Sequence, residues 1–234
     1  MEDVDRGAKV GLRWTSGPFE LANRIGVTEA SRMAREYAEL AGLEIPEWFS
    51  GRTEPFGFSY VDVDVDESGI ATVLINRPEA MNALNVTVVS QLGDAIEGLN
   101  SRSDVSTIVL EGAGKAFVAG ADVKFFVDKI EEGSFSEIED FTKDGHRVLD
   151  LIEGSPHTTI ALTTGLALGG GLELALSCDY RVGTEKTMLR FPETSIGIYP
   201  GLGGTQRTTR VCGIEAARFA VLAGNFMDAG AASA

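Results

Sequence analysis

The chain has 234 residues, 44% of them hydrophobic, with 20 Lys and Arg against 35 Asp and Glu and a formal net charge of −15. That length fills one large domain or two small ones with a substantial core. The charge excludes a general nucleic-acid binder, which needs a basic face, and an anionic membrane surface would repel it, so an anionic ligand must be drawn by local basic groups or backbone amides.

The first ~50 residues read as helical. Ser16-Gly17-Pro18 starts one helix with Pro in its first turn. Phe19, Leu21, Ala22 and Ile25 form its apolar face and Gly26 ends it. Thr28 is expected to cap a second helix through Leu40, stopped at Gly42. Pro46, Gly51, Pro55 and Gly57 punctuate residues 43–58, and residues 51–58 read as a linker. From Ser59 the pattern changes. Tyr60, Val61, Val63 and Val65 alternate with Asp62, Asp64 and Asp66, and Ile70–Ile75 follows Ser68-Gly69, which predicts a hairpin. Asn85 caps a helix running toward Asn100, and Thr107–Leu110 is a buried strand. Ser136 and Glu139 predict a capping box for a helix to Glu153. Strands at Thr159–Thr163 and Tyr180–Val182 bracket a helix at Gly169–Ser177, and Thr205–Arg210 and Ile214–Leu222 are helical. Strands alternating with helices make the class α/β.

Several motifs fail. Asp62, Asp64 and Asp66 start like a calcium loop, but Glu67 stands where that loop needs Gly. Gly112, Gly114 and Lys115 lack the remaining positions of a phosphate loop. Gly201, Gly203 and Gly204 do not form a dinucleotide fingerprint, so no NAD site is expected. Cys178 and Cys212 form no C-x-x-C pair, no apolar run reaches a membrane span, and no signal peptide opens the chain. A reduced cytoplasm is the expected compartment. His146 and His157 are expected to serve surface roles.

Two stretches remain: Ala116 to Lys124, and Gly165 to Glu173. Each puts small residues where a strand hands over to a helix. Free N–H groups at such a point can hold a negative oxygen, and two facing amides make an oxyanion hole. The glycines at 169–171 serve tight helix–strand packing equally well. Glu173 lies on the first turn of the helix they open, where the helix dipole favours a carboxylate in any case. Glu193 follows Phe191-Pro192 and precedes Gly197, Pro200, Gly201, Gly203 and Gly204. Two carboxylates on separate loops can share one water and divide acid and base roles.

Asn76-Arg77-Pro78 with Met81-Asn82-Ala83-Leu84, Phe117 to Lys124, Leu168 to Glu173, Cys178-Asp179, Phe191-Pro192-Glu193 and Pro200 to Arg207 closely resemble the enoyl-CoA hydratase branch of the crotonase superfamily. The resemblance implies a crotonase-like spiral of repeated β-β-α units over residues 59–234, preceded by a short helical segment. It implies that the amides of Ala121 and Gly170 bind a thioester oxygen and that Glu173 and Glu193 hold the catalytic water. It puts Ala80, Ala119, Lys124, Gly169 and Gly201 at substrate- and CoA-binding positions. Having both glutamates favours a hydratase over a 3,2-enoyl-CoA isomerase; a non-catalytic acyl-CoA-binding module is the rival of another class. The CoA of the substrate is the only cofactor implied, and a trimer or dimer of trimers is the assembly implied. Glu79 stands where many relatives carry a basic residue. The family normally continues through several more helices after Asp228-Ala229, and these are expected to be missing here. Residues 1–50, through Gly11-Leu12-Arg13-Trp14 and Gly17 to Leu21, resemble the end of a 3-hydroxyacyl-CoA dehydrogenase. That match implies a fragment of a fused dehydrogenase–hydratase.

Overall fold

The computed structural model describes residues 1–233 and every side chain among them except that of Trp48. The chain divides into two compact units, Met1–Ser59 and the residues from Tyr60 onward.

The first unit is helical: α1 (Glu2–Gly11), α2 (Pro18–Ile25), α3 (Val27–Ala41) and the short α4 (Glu47–Ser50). Pro18 opens α2 as expected, where its missing N–H costs nothing. The start of α2 is held from outside: the two Asp5 carboxylate oxygens accept the Phe19 and Glu20 N–H groups at 2.8 Å each. The N-cap of α3 is Gly26, at φ 89°, and Thr28 makes no capping bond. Only glycine turns the chain that tightly between α2 and α3, so the helix begins before Thr28 can cap it. Gly42, at φ 65°, ends α3 as expected. Residues 51–58, expected as a linker, pack against these helices. Phe56 is buried with Ala22, Val27 and Ala30. Its N–H and carbonyl both bond the Asn23 amide, at 2.7 and 2.8 Å.

The second unit opens with the expected hairpin, β1 (Val61–Val65) antiparallel to β2 (Ile70–Ile75). Asp66 shapes its turn by accepting the Ser68 and Ile70 N–H groups at 2.9 Å each. Next comes α5 (Val86–Asn100), whose cap Asn85 accepts the Val88 N–H at 2.8 Å. Strand–strand–helix turns then repeat. The first is β3 (Thr107–Gly112), β4 (Ala116–Ala119), α6 (Val123–Glu132) and α7 (Phe135–Glu153). The second is β5 (Thr158–Thr163), β6 (Leu166–Leu168) and α8 (Gly170–Ser177), and the third is β7 (Tyr180–Gly183), β8 (Met188–Arg190) and α9 (Gly204–Arg218). A π-helical turn at Phe219–Ala223, β9 (Met227–Asp228) and α10 (Ala229–Ser233) follow. Among the described residues, one sheet runs β1-β2-β3-β5-β7 and the other β4-β6-β8-β9. Each turn sends one strand to each sheet, which is the β-β-α spiral. Pairing along the turns is parallel.

The capping box at Ser136 and Glu139 does not form. Gly133, at φ 72°, ends α6 and turns the chain so that α7 starts at once from Ser134. No helix among the described residues is long and apolar enough to cross a membrane.

Candidate active site

Strand β4 ends at Ala119, and Gly120, at φ 86°, turns the chain toward α6. The intervening residues are clamped from Leu84, whose N–H donates to the Gly120 carbonyl at 2.9 Å and whose carbonyl accepts the Asp122 N–H at 2.8 Å. These bonds leave the Ala121 N–H, between them, without an acceptor among the described residues. Two side chains of the Asn76–Leu84 motif fix the clamp. Asn82, fully buried at φ 58°, directs its amide NH₂ at the carbonyls of Ala113, Ala116 and Phe117 at 2.9, 2.8 and 3.2 Å. Its carbonyl oxygen accepts the Arg77 N–H at 2.9 Å. Arg77 in turn donates to the Asp122 carboxylate at 3.0 Å and the Ala83 carbonyl at 3.2 Å.

The second loop passes from β6 through Gly169, at φ 46°, into α8. As the first residue of that helix, Gly170 has an N–H with no intrahelical acceptor. A Cβ on Gly170 would lie 3.8 Å from the Ala121 nitrogen, so the two free amides belong to facing segments. A Cβ on Gly171 would lie 2.0 Å from the Val118 carbonyl oxygen. The glycines therefore do both jobs the sequence allowed: they let α8 press on β4, and that contact brings the amides together.

Glu173, 1% exposed, sits one turn into α8. Its Oε1 accepts the Leu202 and Gly204 N–H groups at 2.7 Å each. Burial pushes its carboxyl up to about 7, against the downward pull of those two bonds, and the Glu193 charge adds to the rise. Glu193 begins a 3₁₀ turn, Glu193–Ile196, just after the buried Phe191. Burial raises its carboxyl as well. Its Oε2 is buried without a hydrogen-bond partner among the described residues. Its Oε1 comes against the place where a Cβ on Gly169 would stand, so a side chain there would have to displace the tip of this carboxyl.

The structure thus brings Ala121, Gly169, Gly170, Glu173 and Glu193 together. Gly201 is exposed, next to the Leu202 amide that holds Glu173. Ala119 and Ala80 are half-buried, at the end of β4 and of the 3₁₀ turn Pro78–Ala80. Lys124 is exposed on α6 with its ammonium 2.7 Å from Asp128, so its charge is already paired within the helix. His146 and His157 are partly exposed, and His157 Nε2 lies 3.1 Å from the Leu99 carbonyl. The composition of the loops did not reveal the brackets Asn82 and Arg77 provide or the backbone donors of Leu202 and Gly204; the one signal was that these residues fall in the motif stretches.

Strand–strand–helix turns wound into two sheets, with the amide of a loop residue, Ala121, and that of a helix-start residue, Gly170, on facing segments beside two buried carboxyls, define a crotonase-type fold. The family model for enoyl-CoA hydratase/isomerase matches residues 70–234, and the chain belongs to that family, in its enoyl-CoA hydratase branch. It is 41% identical over 148 residues to a crotonyl-CoA hydratase of Syntrophomonas wolfei, a match covering 63% of this chain and 55% of that protein. It is 35% identical over 156 residues to a fatty acid oxidation complex subunit alpha of Psychrobacter arcticus, covering 66% of this chain and 22% of that one. The crystal structure of an enoyl-CoA hydratase from Bacillus anthracis superimposes with a TM-score of 0.71 at 32% identity, covering 75% of this chain and 67% of that one.

Proposed function

We propose that this chain carries an enoyl-CoA hydratase site that adds water across the 2,3 double bond of a trans-2-enoyl-CoA to give a 3-hydroxyacyl-CoA. The observation that carries this reading is the pair of buried carboxyls, Glu173 and Glu193, beside the free amides of Ala121 and Gly170. Those amides stabilise the enolate-like thioester oxygen, each such donor being worth about 10²–10³ in rate. Glu173 Oε1 is taken by two backbone donors, which leaves Oε2 to orient the water. Glu193, with an unpartnered oxygen, takes the proton from the water attacking C3 and supplies the proton at C2. The pair titrates as a unit. The chemistry calls for no metal or organic cofactor beyond the CoA of the substrate.

Ala80, Ala119, Lys124, Gly169 and Gly201 fit the role of substrate and CoA contacts by the family motif. The helical first unit and the likeness to a much longer fatty acid oxidation subunit support a place in a fused dehydrogenase–hydratase, and the family motif implies a homo-oligomer. The test is loss of the ultraviolet absorbance of crotonyl-CoA in ¹⁸O-labelled water, with product mass. Label at C3 is expected. Double-bond migration without label would replace hydration by 3,2-isomerisation, and binding without turnover would leave an acyl-CoA-binding module.

A further inference from the structure

The position of the Glu173 carboxyl depends on a neighbouring loop, because both donors to its Oε1 come from the backbone of residues 202–204. That loop is itself held by one side chain. Arg207 lies in the first turn of α9 and is only 6% exposed. Its Nη1 donates to the Leu202 carbonyl at 2.8 Å. On the other side, its Nη2 reaches Asp150 at 2.9 Å and Glu153 at 2.8 Å, and its Nε reaches Glu153 at 3.0 Å, both carboxylates belonging to α7. Gly203, at φ 89°, turns the chain into α9 beside this guanidinium. An ion pair serving only to tie α9 to α7, between a buried guanidinium and two exposed carboxylates, accounts for the contacts to Asp150 and Glu153. It does not account for the bond to Leu202.

We propose that Arg207 is a positioning residue for Glu173: bridging α7 to the Leu202 peptide, it fixes the two backbone donors that hold the Glu173 carboxyl in place. This deepens the hydratase reading and rests on it. A planar fork with several donors suits the task, because one side chain can grip a carbonyl and two carboxylates at once. The charged group closest in its influence on Glu173 is Glu193 of the 3₁₀ turn, and Arg207 of α9 opposes it. Around Arg207 stand Asp150, Glu153 and His146 of α7, with Arg210 of α9 paired to Glu153 at 3.5 Å.

The experiment compares the wild-type protein with Arg207→Met and Arg207→Lys. Turnover of crotonyl-CoA is followed across pH. The Glu173 carboxyl is titrated by NMR of ¹³C-glutamate-labelled protein, its signal assigned by its absence in Glu173→Gln. Arg207→Met removes a charge and frees the donors, so the Glu173 midpoint should rise by about one pH unit. For the same variant kcat should fall about tenfold to a hundredfold, with KM within about threefold. Arg207→Lys keeps the charge but cannot hold the carbonyl and both carboxylates, so its midpoint and kcat should lie between wild type and Met. If the Met variant does not fold, the Lys variant decides alone. A Lys variant with a wild-type midpoint and kcat overturns the proposal. So does a lower kcat with an unmoved midpoint, which is what a purely structural tie gives. A wild type inert on every enoyl-CoA sinks the hydratase reading, whereas the NMR midpoint still tests whether Arg207 holds Glu173.

Discussion

At the scale of single residues, Glu173 links chemistry to stability. Its carboxyl is moved from 4.5 to about 7, so the folded chain binds that proton more tightly than the unfolded chain. The stability this adds is fully present below about pH 4.5 and is lost as pH rises through 7; by pH 8 the loss is roughly 3 kcal/mol. Glu173→Gln keeps an acceptor for the Leu202 and Gly204 N–H groups and cannot ionise. The variant is therefore expected to melt above wild type at pH 8 and level with it near pH 4.5. A melting temperature that parallels wild type across this range would remove Glu173 as a titrating group. In the proposed reaction, Glu173→Gln and Glu193→Gln should each cut kcat by about 10²–10⁴ while CoA-thioester affinity changes little. A variant with near-full turnover would take that residue out of the mechanism.

At the scale of elements, Asn82 holds the β3–β4 turn and the Leu84 clamp through one buried amide. Asn82→Ala strands those carbonyls and puts alanine at φ 58°, a conformation that favours asparagine over alanine. Such a change should cost about 2–4 kcal/mol, read as a lower urea midpoint with unchanged slope; a shift under half of that would mean the carbonyls find other donors. Elements of this length were readable where they carried a period or a punctuation mark. Ile70–Ile75 follows a turn, and α5 has Asn85 as its cap. Strands β4, β6 and β8 are three or four residues long and mostly apolar or half-buried, too short to show alternation. The site divides the same way. The glycines and glutamates stood out by type and place. Arg207 stood in the Pro200 to Arg207 motif, but its role did not show, because its carboxylate partners are 54 and 57 residues away in the chain.

At the scale of the whole molecule, the two units have separate cores. Phe56 centres the first, with Phe19 against it edge-on at 4.8 Å. Phe56→Ala should cost about 3–5 kcal/mol there, while sites with no shared partners stay additive. Calorimetry is expected to show one transition falling and a second unmoved, with enoyl-CoA turnover preserved at low temperature. A single transition that shifts as a block would join the units into one cooperative body. The second unit's spiral has its own consequence in time. Its turns pair in parallel, and along β3-β5-β7 and β4-β6-β8 a strand reaches its neighbour only after the chain has crossed the other sheet and a helix. Among the described residues, only β1 and β2 can zip as a hairpin. Long-range pairing makes refolding from denaturant slow, on the order of milliseconds to seconds or longer. Half-wound chains expose strand edges meanwhile, so recovered protein should fall as its concentration during refolding is raised. Synthesis from the N-terminus offers the turns one at a time, and each finished turn becomes the edge on which the next is laid.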